Sequence, residues 1–84
     1  LKKYAHSGEI NSSVEDKESM MKHLADHFSD AEISNFDGVS GIYDAWWFNV
    51  RPSNTEPLLR LNLEANSKEL MKEKKDLLLS IIRS

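Results

Sequence analysis

The sequence predicts an α+β domain of two layers, a mostly antiparallel sheet of four to five strands with two helices on one face. Three observations carry this. Trp46, Phe48 and Val50 alternate with Trp47, Asn49 and Arg51, and Leu59, Leu61 and Leu63 alternate with Arg60, Asn62 and Glu64. That period of two belongs to half-buried strands. Two other stretches place apolar residues at helical spacing: Met20, Met21, Leu24 and Phe28, then Leu70, Met71, Leu77, Leu78, Ile81 and Ile82. The links between strand segments are short, as in hairpins, so neighbours pair antiparallel and the helices cover one face to bury their stripes.

Taken in order, residues 3–14 carry Tyr4, Ile10 and Val14 among small polar residues and read as one strand. Asp16 is placed to cap the first helix. Lys22, His23 and Asp26 fall off its apolar stripe. Residues 31–36 read as a strand, Asp37-Gly38 as a tight turn, and residues 39–43 as the returning strand. Asp44-Ala45 turns the chain again into the stretch beginning at Trp46. Trp46 and Trp47 then face opposite sides of the sheet, towards the core and towards a neighbouring domain. Asn66 and Glu69 form an N-x-x-E pattern, so Asn66 is expected to cap a last helix starting at about Ser67. Lys74 interrupts that helix's stripe, and its aliphatic stem is expected along the core edge.

Composition narrows the function classes. Eighty-four residues make one domain, too small to enclose a deep site of its own. There is no cysteine, hence no disulfide or thiolate metal site, which fits a reducing compartment. Net charge is −3, and Lys68, Lys72, Lys74 and Lys75 are interleaved with Glu69, Glu73 and Asp76. Such a mixed face is solvated and leaves no nucleic-acid footprint. Apolar runs such as Leu77-Leu78-Leu79 are too short for a membrane span. The chain starts at Leu1 with no signal-peptide pattern, and the expectation is a cytoplasmic segment of a longer protein.

One segment carries chemistry. Pro52 and Pro57 bracket residues that cannot belong to a central strand, because proline gives the ladder no N–H. Between and beside them lie Arg51, Ser53, Asn54 and Thr55. A phosphate dianion needs positive charge and several fixed donors. Arg51 supplies a planar fork, and Ser53 and Thr55 supply hydroxyls. Asn54 tolerates the left-handed backbone that would turn successive amides inward as an anion nest. Arg60 adds more distant positive potential. Turn chemistry alone accounts for the same residue types, and Glu56 opposes an anion unless it points away. On the residues alone an ordinary hairpin loop is the favoured reading.

The run from Trp46 to Ala65, Trp-Trp-Phe-Asn-Val-Arg-Pro-Ser-Asn-Thr-Glu-Pro-Leu-Leu-Arg-Leu-Asn-Leu-Glu-Ala, resembles the signature of the last domain of α-D-phosphohexomutases. Ser7-Gly8-Glu9-Ile10-Asn11 and Phe36-Asp37-Gly38-Val39 resemble segments at matching places. Pro52-Ser53-Asn54 after the arginine resembles the phosphomannomutase/phosphoglucomutase branch, where phosphoglucosamine mutases tend to have Lys-Ser-Gly. The resemblance implies a TATA-binding-protein-like fold and a place as the fourth domain of an enzyme moving a phosphoryl group between C1 and C6 of a hexose. It implies that Arg51, Ser53, Asn54 and Thr55 bind the phosphate that is not reacting. It implies mannose or glucose 1- or 6-phosphate and the other domains of the parent enzyme as partners. The donor phosphoserine and the Mg²⁺ of such enzymes belong to other domains, and no position here matches those segments or the sugar-reading loop. No catalytic or metal residue is therefore expected in this chain, and alone it is expected to be inactive.

His23 and His27 have the i, i+4 spacing of a metal pair, but Leu24 stands where H-E-x-x-H needs Glu, so the pair reads as incidental. The competing reading of the whole chain is a stand-alone, non-enzymatic α+β interaction module with a structural hairpin and exposed aromatics as its contact patch.

Overall fold

A computed structural model describes residues 4–84. In chain order the elements are β1 (Ala5–His6), β2 (Ile10–Ser13), α1 (Lys17–His27), β3 (Glu32–Ser34), β4 (Val39–Ile42), β5 (Trp46–Pro52), β6 (Leu58–Ala65) and α2 (Lys68–Ile82). All strand pairings are antiparallel. The sheet runs β1-β6-β5-β4-β3, with β2 also on β6. Six strands thus fill five rows, because β1 and β2 share one flank of β6.

The alternation in β5 and β6 sorts the sheet into two faces. Trp46, Phe48, Val50, Leu59, Leu61, Leu63 and Ala65 are buried and form one core with Leu24 of α1, Phe28 at its C-terminal cap, and Leu78 and Ile82 of α2. Phe48, Leu61 and Leu63 are almost wholly withdrawn from water, worth roughly 1.5–3 kcal/mol each. Trp47, Arg51, Arg60 and Glu64 stand on the opposite, partly open face. Trp46 packs edge-on to Phe28 and stacks on Tyr43. The Lys74 ammonium lies 5.3 Å from the Trp46 ring centroid, so its stem follows the core edge as expected.

The expected first strand is broken in two; its start at Lys3 lies outside the described residues. Ala5 pairs with Ala65 and Ile10 with Leu61. From Ala5 to Ile10 is a step of five residues, whereas from Ala65 to Leu61 is a step of four. One extra residue is a bulge, placed where Gly8 adopts φ +73°. Its physical effect is on parity. Without it Ile10 would pair opposite Arg60 on the open face; with it Ile10 meets Leu61 over the core. The Ser7 N–H donates to the Leu63 carbonyl, and the Ser7 hydroxyl accepts from the Leu63 N–H, both at 3.0 Å, which closes the bulge.

Two other boundaries differ from expectation. Asn66 does not cap α2: its N–H donates to the Ala45 carbonyl at 3.0 Å, so its backbone still extends the β5–β6 ladder. The cap is Ser67, whose hydroxyl accepts from the Leu70 N–H at 3.1 Å. The strand expected over 31–36 shrinks to Glu32–Ser34. There the Ser34 hydroxyl accepts from the Phe36 N–H at 3.4 Å, a local bond that draws the chain out of the ladder. Asp16 does cap α1, accepting from the Ser19 N–H at 3.0 Å.

Candidate functional site

The loop of residues 53–57 joins the two central strands and is tied down on every side. Pro52 closes β5 opposite Leu59, a strand end where a missing N–H is tolerated. The Ser53 N–H donates to the Leu58 carbonyl at 3.0 Å, and the Val14 N–H to the Pro57 carbonyl at 3.0 Å. Ser53 is only 4% exposed. Its hydroxyl accepts from the N–H groups of Thr55 (3.4 Å) and Glu56 (3.2 Å). From the start of α1 the Lys17 ammonium reaches across and donates to the carbonyls of Ser53 (2.7 Å) and Glu56 (3.1 Å).

This arrangement corrects the expected nest. Among the described residues only Gly8 and Gly38 have positive φ, so Asn54 is not left-handed. The amides of Thr55 and Glu56 turn towards the Ser53 hydroxyl instead of converging on an external anion. The donors that remain for a ligand are side chains and the Asn54 N–H.

Arg51 stands at the end of β5 on the open face, its side chain 42% exposed. Two carboxylates flank its fork. Asp37 Oδ2 lies 3.6 Å from one terminal nitrogen and Glu9 Oε1 lies 3.9 Å from the other. Neither contact is a hydrogen bond, so the donors of the fork stay unspent. Arg60, opposite Arg51 in the β5–β6 register, donates to Glu9 Oε2 at 3.0 Å. The bulge at Gly8 is what brings Glu9 to these two guanidinium groups.

Arg51, Ser53, Asn54 and Thr55 all line one open groove of about 550 Å³, together with Arg60 and the 36–38 turn. Arg60 is therefore part of the groove wall rather than a distant source of potential. Asn54 and Thr55 are exposed. Glu56 is exposed and outside the lining, so its carboxylate does not occupy the groove. Around the groove the charges of Arg51 and Arg60 are set against those of Glu9 and Asp37. Trp47 lies six strand residues from Ser53, about 20 Å along β5, and so does not reach this groove.

The carboxylates do not suit a divalent cation. Glu9 and Asp37 each face a guanidinium, and among the described residues no group of three or more His, Cys, Asp or Glu side chains converges. His23 and His27 are exposed on α1 with ring centroids 6.4 Å apart. No helix among the described residues is long and apolar enough to cross a membrane.

Sequence reasoning missed Glu9, Lys17, Phe36 and Asp37 as neighbours of the loop. Gly8 before Glu9 is the one local hint, as a bulge glycine. Nothing local marks Lys17, whose partners lie 36 and 39 residues away.

Residues 9–80 match the family described as phosphoglucomutase/phosphomannomutase, C-terminal domain. The chain is 54% identical over 72 residues to a phosphomannomutase of Methanocaldococcus jannaschii, covering 86% of this chain and 16% of that protein. It is 41% identical over 80 residues to a phosphomannomutase of Vibrio cholerae, covering 92% of this chain and 17% of the relative. A probable phosphoglucosamine mutase of Pyrococcus horikoshii is 39% identical over 82 residues, with 88% of this chain and 18% of the relative covered. The chain thus spans less than one fifth of the length of these curated relatives.

Proposed function

Because the chain belongs to the phosphoglucomutase/phosphomannomutase C-terminal domain family, we propose that its β5–β6 loop grips the phosphate of a hexose phosphate for a longer mutase. The observation that carries this reading is the Arg51 fork, whose donors make no hydrogen bond among the described residues and face a groove with the Thr55 and Asn54 side chains. Arg51 gives two parallel donors to phosphate oxygens. Thr55 and Asn54 add neutral donors. Ser53 offers its own hydroxyl proton while its oxygen holds the loop amides in place.

The role is positioning. Phosphoryl transfer gains most from alignment and charge stabilisation. Binding energy collected at a remote phosphate is spent on orientation at the reacting end. A grip whose polar contacts go to phosphate accepts a bisphosphorylated hexose in either direction, which a transfer between C1 and C6 requires. In this reading mannose or glucose phosphates are the ligands, the protein is cytoplasmic, and the other domains supply the phosphoserine and Mg²⁺.

The test is an amide NMR titration of the 84-residue chain with mannose 6-phosphate and glucose 1-phosphate. Shifts are expected first between Arg51 and Thr55, with Kd of about 1 mM, corresponding to about 4 kcal/mol. Arg51→Lys keeps the charge but loses the fork, and binding is expected to weaken about tenfold with an unchanged melting temperature. Shifts centred on His23 and His27, or equal affinity in Arg51→Lys, would count against the assignment.

A further inference from the structure

Phe36 is 97% exposed, the most exposed of the large hydrophobic side chains among the described residues. A lone apolar residue at a surface means little by itself. This one lines the groove that holds Arg51, Asn54 and Thr55.

Its place there is built in. The turn carrying Phe36 is laid directly on β5. Gly38 has φ +75°, and a Cβ on it would run into the Val50 carbonyl oxygen and come within 3.0 Å of the Arg51 Cα. The Asn49 side-chain amide donates to the Asp37 carbonyl at 2.8 Å and to the Ser40 hydroxyl at 2.9 Å. The Asp37 carboxylate, one residue from Phe36, is 3.6 Å from Arg51. The ring therefore hangs from a fixed turn at the rim of the groove, across from the loop.

We propose that Phe36 is the apolar wall that makes the groove choose a phosphorylated hexose over free phosphate. This rests on the phosphate-grip reading and extends it to the rest of the ligand. A hexose has hydroxyls around its edge and C–H groups on its faces. Apart from the small ring of Pro52, the groove's other side chains offer charges and hydrogen-bond groups that suit hydroxyls and phosphate. One exposed aromatic ring suits the C–H face, which gains by leaving water against it. A bare phosphate has no apolar face and takes nothing from Phe36.

The experiment compares wild-type chain, Phe36→Ala and Phe36→Leu, each titrated with inorganic phosphate and with mannose 6-phosphate and followed by amide shifts. The exposed position makes all three fold alike, which thermal melts check. Wild type is expected to bind mannose 6-phosphate roughly five- to tenfold tighter than phosphate, from on the order of 40–50 Å² of apolar surface removed from water. Phe36→Ala is expected to bring the two affinities together, with phosphate binding within about twofold of wild type, and Phe36→Leu to fall between. Unchanged mannose 6-phosphate affinity in Phe36→Ala overturns the proposal, leaves the phosphate grip standing, and assigns the ring to a macromolecular contact or to solvent. Failure of wild type to bind either ligand overturns both.

Discussion

The Lys17 ammonium, at the first turn of α1, donates to the Ser53 carbonyl 36 residues away at 2.7 Å. The same nitrogen reaches the Glu56 carbonyl at 3.1 Å. A helix that packs on the core face therefore holds the outline of a loop whose side chains work on the groove side. Loop geometry and core packing are joined through one half-buried cation.

Lys17→Met is expected to release that joint. A charge-assisted bond to a carbonyl contributes about 1.5–3 kcal/mol when well shielded, and partial exposure lowers it here to about 1 kcal/mol. The melting temperature is expected to fall by about 5 °C. The sharper readout is hydrogen exchange, with the Thr55 and Glu56 amides speeding up while those of Phe48 and Leu63 hold. Unchanged exchange at Thr55 and Glu56 would show that the Ser53 hydroxyl alone fixes the loop.

Glu9→Gln separates two roles of that carboxylate, orienting the arginines and opposing an incoming anion. Its 3.9 Å approach to Arg51 is not a hydrogen bond, and the pair is partly exposed, so orientation contributes little there. A negative charge a few ångströms from a phosphate in a water-like dielectric costs about 1 kcal/mol. Charge relief is expected to dominate. Phosphate binding should tighten about three- to tenfold, the gain shrinking in 0.5 M salt. Weaker binding in Glu9→Gln would instead make Glu9 an orienting residue.

Tyr43 gives a pH dependence. Burial raises its phenol pKa above the ordinary value of 10.0, and the hydrogen bond and negative charge of Asp30 raise it further; the bond is 2.6 Å long. A folded pKa above the unfolded one means the native state holds the proton more tightly. The resulting stability is complete below about pH 10 and is lost as pH rises from the unfolded pKa through the folded one. Urea unfolding at pH 8, 9.5 and 10.5 is expected to show wild type losing stability at the highest pH more steeply than Tyr43→Phe. Parallel curves would remove Tyr43 from the alkaline response.

Much of the fold was legible because it is local. The β5 and β6 alternation, the α1 stripe with its Asp16 cap, and the core-edge position of Lys74 all follow from side-chain period and reach. The phosphate-loop candidates Arg51, Ser53, Asn54 and Thr55 were legible by position, and they do line one groove. Asn66 and Ser67 show the limit: both are good caps, and the choice fell to Ser67 because the ladder bond to Ala45 keeps Asn66 in the sheet.

By itself, then, the sequence determined the layers, the faces and the loop at the end of β5, since periodicity and turn chemistry act over a few residues. Tertiary structure decided what surrounds the loop. A bulge at Gly8 resets the register and delivers Glu9 to Arg60, 51 residues away. Lys17 clamps the loop from a helix. Asp37 and Phe36 arrive from a turn pressed onto β5, and the Ser53 hydroxyl oxygen accepts from its own loop amides. Each of these depends on which strands lie side by side. That neighbourhood is set by how the whole core buries its apolar faces, and no short window of the chain carries it.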